Sequence, residues 1–415
     1  MKIKGKKKKC ALQILKKPLR GLVFILPALL FAISVQASLA RPVWGNPTIV
    51  PVSGAIISDT TWTAAAGTYH VTGNITVNTG VTLTIEPGVV VKFAENTGLH
   101  VDGTLNVLGT VANKVYFTDF RDDTVGGDTN GNGAASNPAA GWWAGIQIRN
   151  NGVASLDHTV IRYGGAHVHW GHTWWWGRHA GNLWKIGAGT LTLTNSVLSH
   201  SASHALRLLD TDAVHTVSGN TFEHNVSHGI LLENAGSGVT ISGNTTRNNA
   251  HSGIHINNSS PAVTGNTSTA NTNYGLYMSS SSRPAISGNS FSGNTRAPLG
   301  VAGGDITANT VWDADVAYYL EGSVNVPAGM TLTVPAGAVV KFAENTGLHV
   351  DGTLNVPGTV TNKVYFTDFR DDTVGGDTNG NGAASNPAAG WWAGIQIRNN
   401  GVASLDHTVI RYGGA

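Results

Sequence analysis

The chain has 415 residues, enough for a large core, and a formal charge of +2 from 26 basic and 24 acidic side chains. A single cysteine excludes a disulfide-stapled fold. Only 12% of residues are charged, and Gly, Asn, Thr and Ser fill the gap, which favours strands and turns over helices.

Residues 1–40 read as a secretory signal peptide. Nine basic and no acidic residues lie between Lys2 and Arg20, the run Gly21–Val35 is apolar, and small-residue cleavage patterns end at Ala37 and Ala40. The apolar run is short for a membrane span and no second one follows, so no span is expected in the mature chain. Cys10 leaves with the signal. Removing nine of the 26 basic residues leaves 17 against 24 acidic ones, a mature charge of 17 − 24 = −7. An acidic chain is a poor partner for nucleic acid or anionic membrane. The expected location is secreted, cell-surface or periplasmic.

After a linker at 41–54, two tandem modules are expected at 55–304 and 305–415. Residues 92–166 recur as 341–415, offset by 249, with 73 of 75 positions identical; only Leu108 and Ala112 change, to Pro357 and Thr361. The second module stops where the first would enter a long insertion, so it reads as a truncated copy whose last rung has no cap. A shorter period of 22 to 25 residues runs between the copies, marked by Asn195, Asn220, Asn244, Asn266 and Asn289. Such a period means stacked units that cannot bury their apolar faces alone.

The segment 238–257 gives the template for a rung. Val239 and Ile241 alternate with Thr240 and Ser242 as a strand, Gly243-Asn244 turns the chain, and Ile254 and Ile256 alternate again. No segment carries a 3.6-residue period. The marker asparagines are expected to stack into a side-chain ladder. Ile230, Leu232, Ile241, Ile254, Ile256, Leu276 and Ile286 are the expected core.

The pattern Ile-Ser-Gly-Asn-Thr-x-x-x-Asn-x-x-x-Gly-Ile-x-Leu resembles the repeats of right-handed parallel β-helix proteins, the pectate-lyase-like superfold. The resemblance covers roughly 145–300. It implies an all-β solenoid of two modules, the second incomplete. The segment 82–163 also looks like a module of bacterial surface and secreted β-helix proteins. Because the superfold hosts lyases, hydrolases and adhesins alike, it implies no one activity.

Three features carry candidate chemistry. The run Asp128-Thr129-Asn130-Gly131-Asn132-Gly133 matches the opening half of a calcium loop, with oxygen ligands at alternating positions and a glycine at the turn. Asp119, Asp122 and Asp123 lie upstream, and the set recurs as Asp368, Asp371, Asp372, Asp377, Asn379 and Asn381. Ca²⁺ bracing the loop is the expectation; a turn satisfying its own backbone is the plainer reading.

Second, the insertion 167–184 holds His167, His169, His172, His179, Trp170, Trp174, Trp175, Trp176 and Trp184. Flat indole rings suit sugar C–H faces, so these residues are expected to contact an extracellular polysaccharide or glycan. A lid folded onto the solenoid is the alternative.

Third, aligning rungs puts His204, His228 and Ser252 in one column, His200, His224 and Asn248 in another, and Arg207, Leu231 and His255 in a third. At a rung spacing of about 4.8 Å, stacked imidazoles would suit Zn²⁺ or Cu²⁺, or a pH-sensitive groove, and these columns, His255 included, are expected to join the insertion in contacting the glycan.

If the chain is an enzyme, His204 or His228 would be the base and Arg207 the uronate neutraliser of a lyase. Asp210 and Asp212 would be the carboxylate pair of a glycosidase. The arginine and aspartate signatures of known β-helix lyases are absent. The leading expectation is therefore a binding protein for carbohydrate or another extracellular polymer, ahead of a polysaccharide lyase or glycoside hydrolase. A structural or adhesive array and an exported metal-binding β-helix come behind. Nothing in the sequence indicates an oligomeric state.

Overall fold

The computed structural model describes residues 48–166 and 181–415. The expected signal peptide lies outside the described residues. Among those described, helix is confined to two single 3-10 turns, Ala64–Ala66 and Gly382–Ala384, and every strand pairing is parallel. No helix there is long and apolar enough to cross a membrane.

Each rung has three strands, so the solenoid has three faces. On face 1, strands Gly145–Ile148, Gly181–Ile186, His204–Thr211, Ile230–Ala235, Ile254–Asn257, Leu276–Met278 and Leu299–Val301 pair in that order. Face 2 runs through Val153–Asp157, Leu191–Thr194, His215–Ser218, Val239–Ser242, Ala262–Thr264 and Ala285–Ser287. Face 3 runs through Thr159–Arg162, Val197–Ser199, Thr221–Glu223, Thr245–Arg247 and Thr267–Thr269. Parallel strands need a crossover, and here the remaining two faces of each rung supply it. The product is a right-handed parallel β-helix, all-β as the repeat pattern implied.

Alternation sends every second side chain inward. All seven expected core residues are buried, none more than 3% exposed. They belong to one apolar column that continues from Trp62 to Trp392. Each fully buried Ile or Leu contributes about 1.5–3 kcal/mol relative to an exposed one, and because it packs on apolar neighbours in the rungs above and below, no rung is self-sufficient.

Two asparagine ladders brace the corners. At the turn from face 2 to face 3, the Nδ2 of Asn220, Asn244 and Asn266 donates to the Oδ1 one rung on, at 3.0, 3.0 and 2.9 Å. The same amides also donate to Leu193, Val217 and Ile241 carbonyls. Asn195 does not belong to this ladder, contrary to the sequence reading. Ser196 occupies that position and donates its N–H to Asn220 Oδ1 at 2.9 Å. Asn195 sits one residue earlier, at φ +52, where the other rungs have Gly219, Gly243, Gly265 and Gly288. Both residue types tolerate the left-handed conformation, so one marker motif served two positions. The second ladder, Asn225, Asn249, Asn271 and Asn294, lies at the turn into face 1, with spacings of 2.8, 2.9 and 3.0 Å.

Sheet pairing continues across the boundary between the two copies, with a change of face. Leu299–Val301 pairs with Tyr318–Leu320, which leads on to Val339–Phe342, Val364–Asp368 and Thr408–Ile410. By the 249-residue offset, Tyr318–Leu320 corresponds to Tyr69–Val71, which opens face 3 of the first copy. Face 1 of the first copy therefore runs into face 3 of the second. Face 2 stops at Ala285–Ser287, where the carboxylates of Asp313 and Asp315 accept the N–H groups of Ile286 and Gly288, both at 3.1 Å.

Candidate functional site

Face 1 concentrates the unusual side chains. Its outward register reads Gln147, Trp184, Arg207, Leu231, His255, Tyr277, Gly300 and Tyr319 on successive strands. The third column expected from the sequence, Arg207, Leu231 and His255, is part of this line. So is Trp184, which is 6% exposed. His167, His169, His172, His179, Trp170, Trp174, Trp175 and Trp176 lie outside the described residues.

The Arg207 guanidinium lies 5.5 Å from the Trp184 ring, and its Nε donates to Glu233 Oε2 at 2.6 Å. At the edge toward face 3 the histidines stack: His204 on His228 with centroids 5.3 Å apart and planes 4° apart, and His200 on His224 at 5.4 Å. His228 Nδ1 accepts the Ser252 N–H at 3.2 Å, which leaves the ring proton on Nε2. That nitrogen lies 3.1 Å from His255 Nδ1. Burial, with neighbouring His255 and His251 adding to it, pushes His228 down to about 3. His255 falls to about 4, mainly through burial. Both rings are neutral at neutral pH. They are fixed hydrogen-bonding groups, so the groove does not titrate at these two histidines near pH 6.5.

Beyond His255 the line becomes aromatic. His255 lies 5.3 Å from Tyr277, Tyr277 stacks on Tyr274 at 4.9 Å, and Tyr274 lies 6.3 Å from Tyr319. Gly300 permits this: a Cβ there would stand 2.6 to 2.8 Å from three Tyr274 ring atoms. Arg296 Nη1 donates to Glu321 Oε1 at 2.6 Å and to the Tyr274 hydroxyl at 3.3 Å. The Tyr277 hydroxyl donates to Glu321 Oε2 at 2.9 Å. Burial and that carboxylate raise the Tyr277 phenol far above its usual range, so it acts as a proton-bearing donor.

The face change at the copy boundary then adds residues from the second copy's loop. Tyr319 lies 5.3 Å from Phe369, and Phe369 6.0 Å from Trp391. The Arg370 guanidinium covers Trp391 at 3.4 Å and is held by both oxygens of Asp368. The first copy repeats part of this on its own face 3: His70 stacks on Phe120 at 3.8 Å, and Arg121 covers Trp142 at 3.5 Å.

Tyr274, Tyr277, Tyr319, Phe369, Trp391, Arg296 and Glu321 were not anticipated. Extending the Arg207–Leu231–His255 column by one more rung, 22 residues, reaches Tyr277. The rest depends on the face change, which no local motif records.

The remaining candidates are placed as follows. Asp210 and Asp212 are exposed at the edge toward face 2, and Asp210 Oδ1 accepts from Asn234 Nδ2 at 2.7 Å. In the loop, Asp119 and Asp122 are fully buried and paired with arginines, Asp119 with Arg121 at 2.7 Å and Asp122 with Arg162 at 2.5 Å. Asp123 is partly buried. Asp128 accepts the Gly133 N–H at 2.7 Å, Asn130 Oδ1 accepts the Asn132 N–H at 3.2 Å, and Asn132 Nδ2 donates to Ser136 at 2.9 Å. The second copy matches this through Asp368, Asp371, Asp377, Asn379 and Asn381, with Asp372 partly buried. Asp119 and Asp122 are thus committed to arginines, apart from the Asp128–Asn132 turn. That turn holds the oxygens a hard cation would use. Among the described residues, no group of three or more His, Cys, Asp or Glu side chains is placed to hold a metal ion.

Fold and side chains define a parallel β-helix with an aromatic, charge-paired outer face. Residues 134–327 match the family model described as a right handed beta helix region. Among solved structures, the chain is similar to the A-module of mannuronan C-5 epimerase AlgE4 from Azotobacter vinelandii. Identity there is 12%, covering 88% of this chain and 89% of that one, with a TM-score of 0.35. It is also similar to the periplasmic alginate epimerase AlgG, at 13% identity over 89% and 79% of the two chains, with a TM-score of 0.33. At this identity and superposition the likeness says nothing of activity. No curated protein matches the chain.

Proposed function

We propose that the chain is an exported β-helix protein that binds a polysaccharide along face 1. The observation that carries this reading is the chain of ring contacts His255, Tyr277, Tyr274, Tyr319, Phe369 and Trp391, each partner 4.9 to 6.3 Å from the next. Rings repeated along one direction suit a polymer, whose sugar units present C–H faces at regular intervals. Hydroxyl and carboxylate groups between the rings, from Tyr277 and Glu321, supply the directional contacts a sugar hydroxyl needs.

Binding is favoured over turnover by the state of the proposed catalytic groups. A general base works best with a pKa near the working pH, and burial lowers His228 to about 3. Arg207, the proposed neutraliser, is already paired with Glu233.

The test is a screen of soluble polysaccharides by affinity electrophoresis. The wild-type chain is expected to be retarded by at least one polymer, and Tyr277→Ala with Tyr319→Ala to run unretarded while keeping its β-sheet circular dichroism. Equal retardation of the variant would move the binding site off this face.

A further inference from the structure

We infer that the polymer held on face 1 is an uncharged glycan, not a polyuronate. This rests on the reading of face 1 as a polysaccharide groove. The observation behind it is that each arginine along the line is already matched by its own carboxylate. Arg207 is bound to Glu233 at 2.6 Å, Arg296 to Glu321 at 2.6 Å, and Arg370 to both oxygens of Asp368. Arg247, on the neighbouring strand of face 3, is bound to Glu223 at 2.7 Å. Lys341 is next in register after Tyr319, but it is fully buried and spends its ammonium on the Gly376 carbonyl and the Thr378 hydroxyl, at 2.5 and 2.8 Å.

His228 and His255 do not supply the missing charge. His228 and His255 are hydrogen-bonded to each other at 3.1 Å, and burial holds both far below neutrality. Along the edge toward face 2, Asp210, Asp212 and Arg283 add two negative charges and one positive. Lys185, at the same edge, is fully buried and spends its ammonium on the carbonyls of Asn150, Ile186 and Gly187. The paired groups therefore sum to zero, and the exposed Asp210, Asp212 and Arg283 to −1. The chain beyond residue 40 carries −7, so the wider field also opposes a polyanion.

A uronate carboxylate on this face would have to displace Glu233 or Glu321 from its arginine, or lie unpaired beside it. Leaving a carboxylate unpaired in a desolvated groove is costly, and like charges placed together discriminate against the wrong partner. A neutral sugar has no such conflict. Its hydroxyls can donate to the outer lone pairs of the glutamates and accept from guanidinium N–H groups, while its C–H faces cover the rings.

The test uses the full chain against two sets of probes at about 0.1 M salt, where surface charges more than about 10 Å apart are screened. Mixed-linkage β-glucan, xyloglucan and galactomannan are the neutral set; polygalacturonate and alginate are the charged set. The expected result is binding to at least one neutral polymer and to neither polyuronate. The double variant E233Q/E321Q removes the carboxylate charge beside Arg207 and Arg296 and should gain polyuronate affinity by about tenfold, the effect of one hydrogen bond to a charged group. If it loses its β-sheet signal, E233Q alone reports the same gain. Wild-type binding to a polyuronate in preference to every neutral polymer would overturn the inference while leaving the polysaccharide groove intact. Binding to neither set would overturn both.

Discussion

His228 and His255 meet across adjacent rungs, Nε2 to Nδ1, at 3.1 Å. His228 also accepts the Ser252 N–H, so protonating it costs a backbone contact and places a charge beside a second imidazole. Each ring is neutral in the fold well below pH 6.5, whereas in the unfolded chain it gains a proton near pH 6.5.

The sign of the pH dependence follows. A histidine with a lowered folded pKa contributes stability that is complete above its unfolded value and is lost as pH falls toward the folded one. For this pair the window runs from about pH 6.5 down to about 4 and 3. Thermal melts between pH 7 and pH 4 should show a falling Tm. The variant His228→Gln with His255→Gln should show a shallower fall over the same range. An unchanged slope would place the acid sensitivity elsewhere.

Asn195 and Asn244 come from the same marker motif and should respond differently to substitution. Asn244 sends its Nδ2 to Asn266 Oδ1 and the Val217 carbonyl, while its Oδ1 receives the Asn220 amide and backbone N–H. Asn244→Ala leaves several buried groups unpaired and should cost about 2–3 kcal/mol in urea denaturation. Asn195 is exposed at a left-handed turn where four other rungs carry glycine. Asn195→Gly should cost less than about 0.5 kcal/mol. Equal losses would mean that both asparagines serve the ladder.

Much of this fold was legible because its determinants are local and repeated. Val239, Ile241, Ile254 and Ile256 set strand and face by alternation, and their neighbours repeat the statement rung after rung. Asn195 was misread because Gly and Asn are interchangeable at a left-handed turn, so sequence spacing alone could not tell turn from ladder. The Arg207–Leu231–His255 column was visible for the same reason as the core. Its continuation through Tyr277, Tyr274 and Tyr319 to Phe369 and Trp391 was not. Tyr274 reaches Tyr319 only because Gly300 lacks a side chain, and Phe369 and Trp391 reach the line only through the change of face between copies. Neither cause leaves a periodic signal.

Gly300 gives a way to break the ring line with one methyl group. It is not at positive φ, so alanine is tolerated by the backbone. The added carbon would meet the Tyr274 ring at 2.6 Å and force it aside. Gly300→Ala should cost about 1 kcal/mol of stability, within the range for overpacking. Tyr274 is 3% exposed and holds the partly exposed Tyr277 and Tyr319 in line, so polysaccharide affinity should fall by about fivefold to tenfold when it moves. A wild-type affinity in Gly300→Ala would show that binding does not depend on the ring line Tyr274 supports.

The proposed polysaccharide lies along face 1 and its continuation onto face 3 of the second copy, from the histidine pair to Trp391. Hydroxyl-radical footprinting with mass spectrometry, with and without a saturating bound polysaccharide, tests this placement most directly, because Tyr277, Tyr319, Phe369 and Trp391 all retain partial exposure and react strongly. Bound polymer is expected to protect these four residues together, leaving Phe120 and Trp142 of the first copy and exposed Val214 at the start of face 2 at their free rates. Protection of Phe120, Trp142 or Val214 without protection of Tyr277 and Tyr319 would place the polymer off this line.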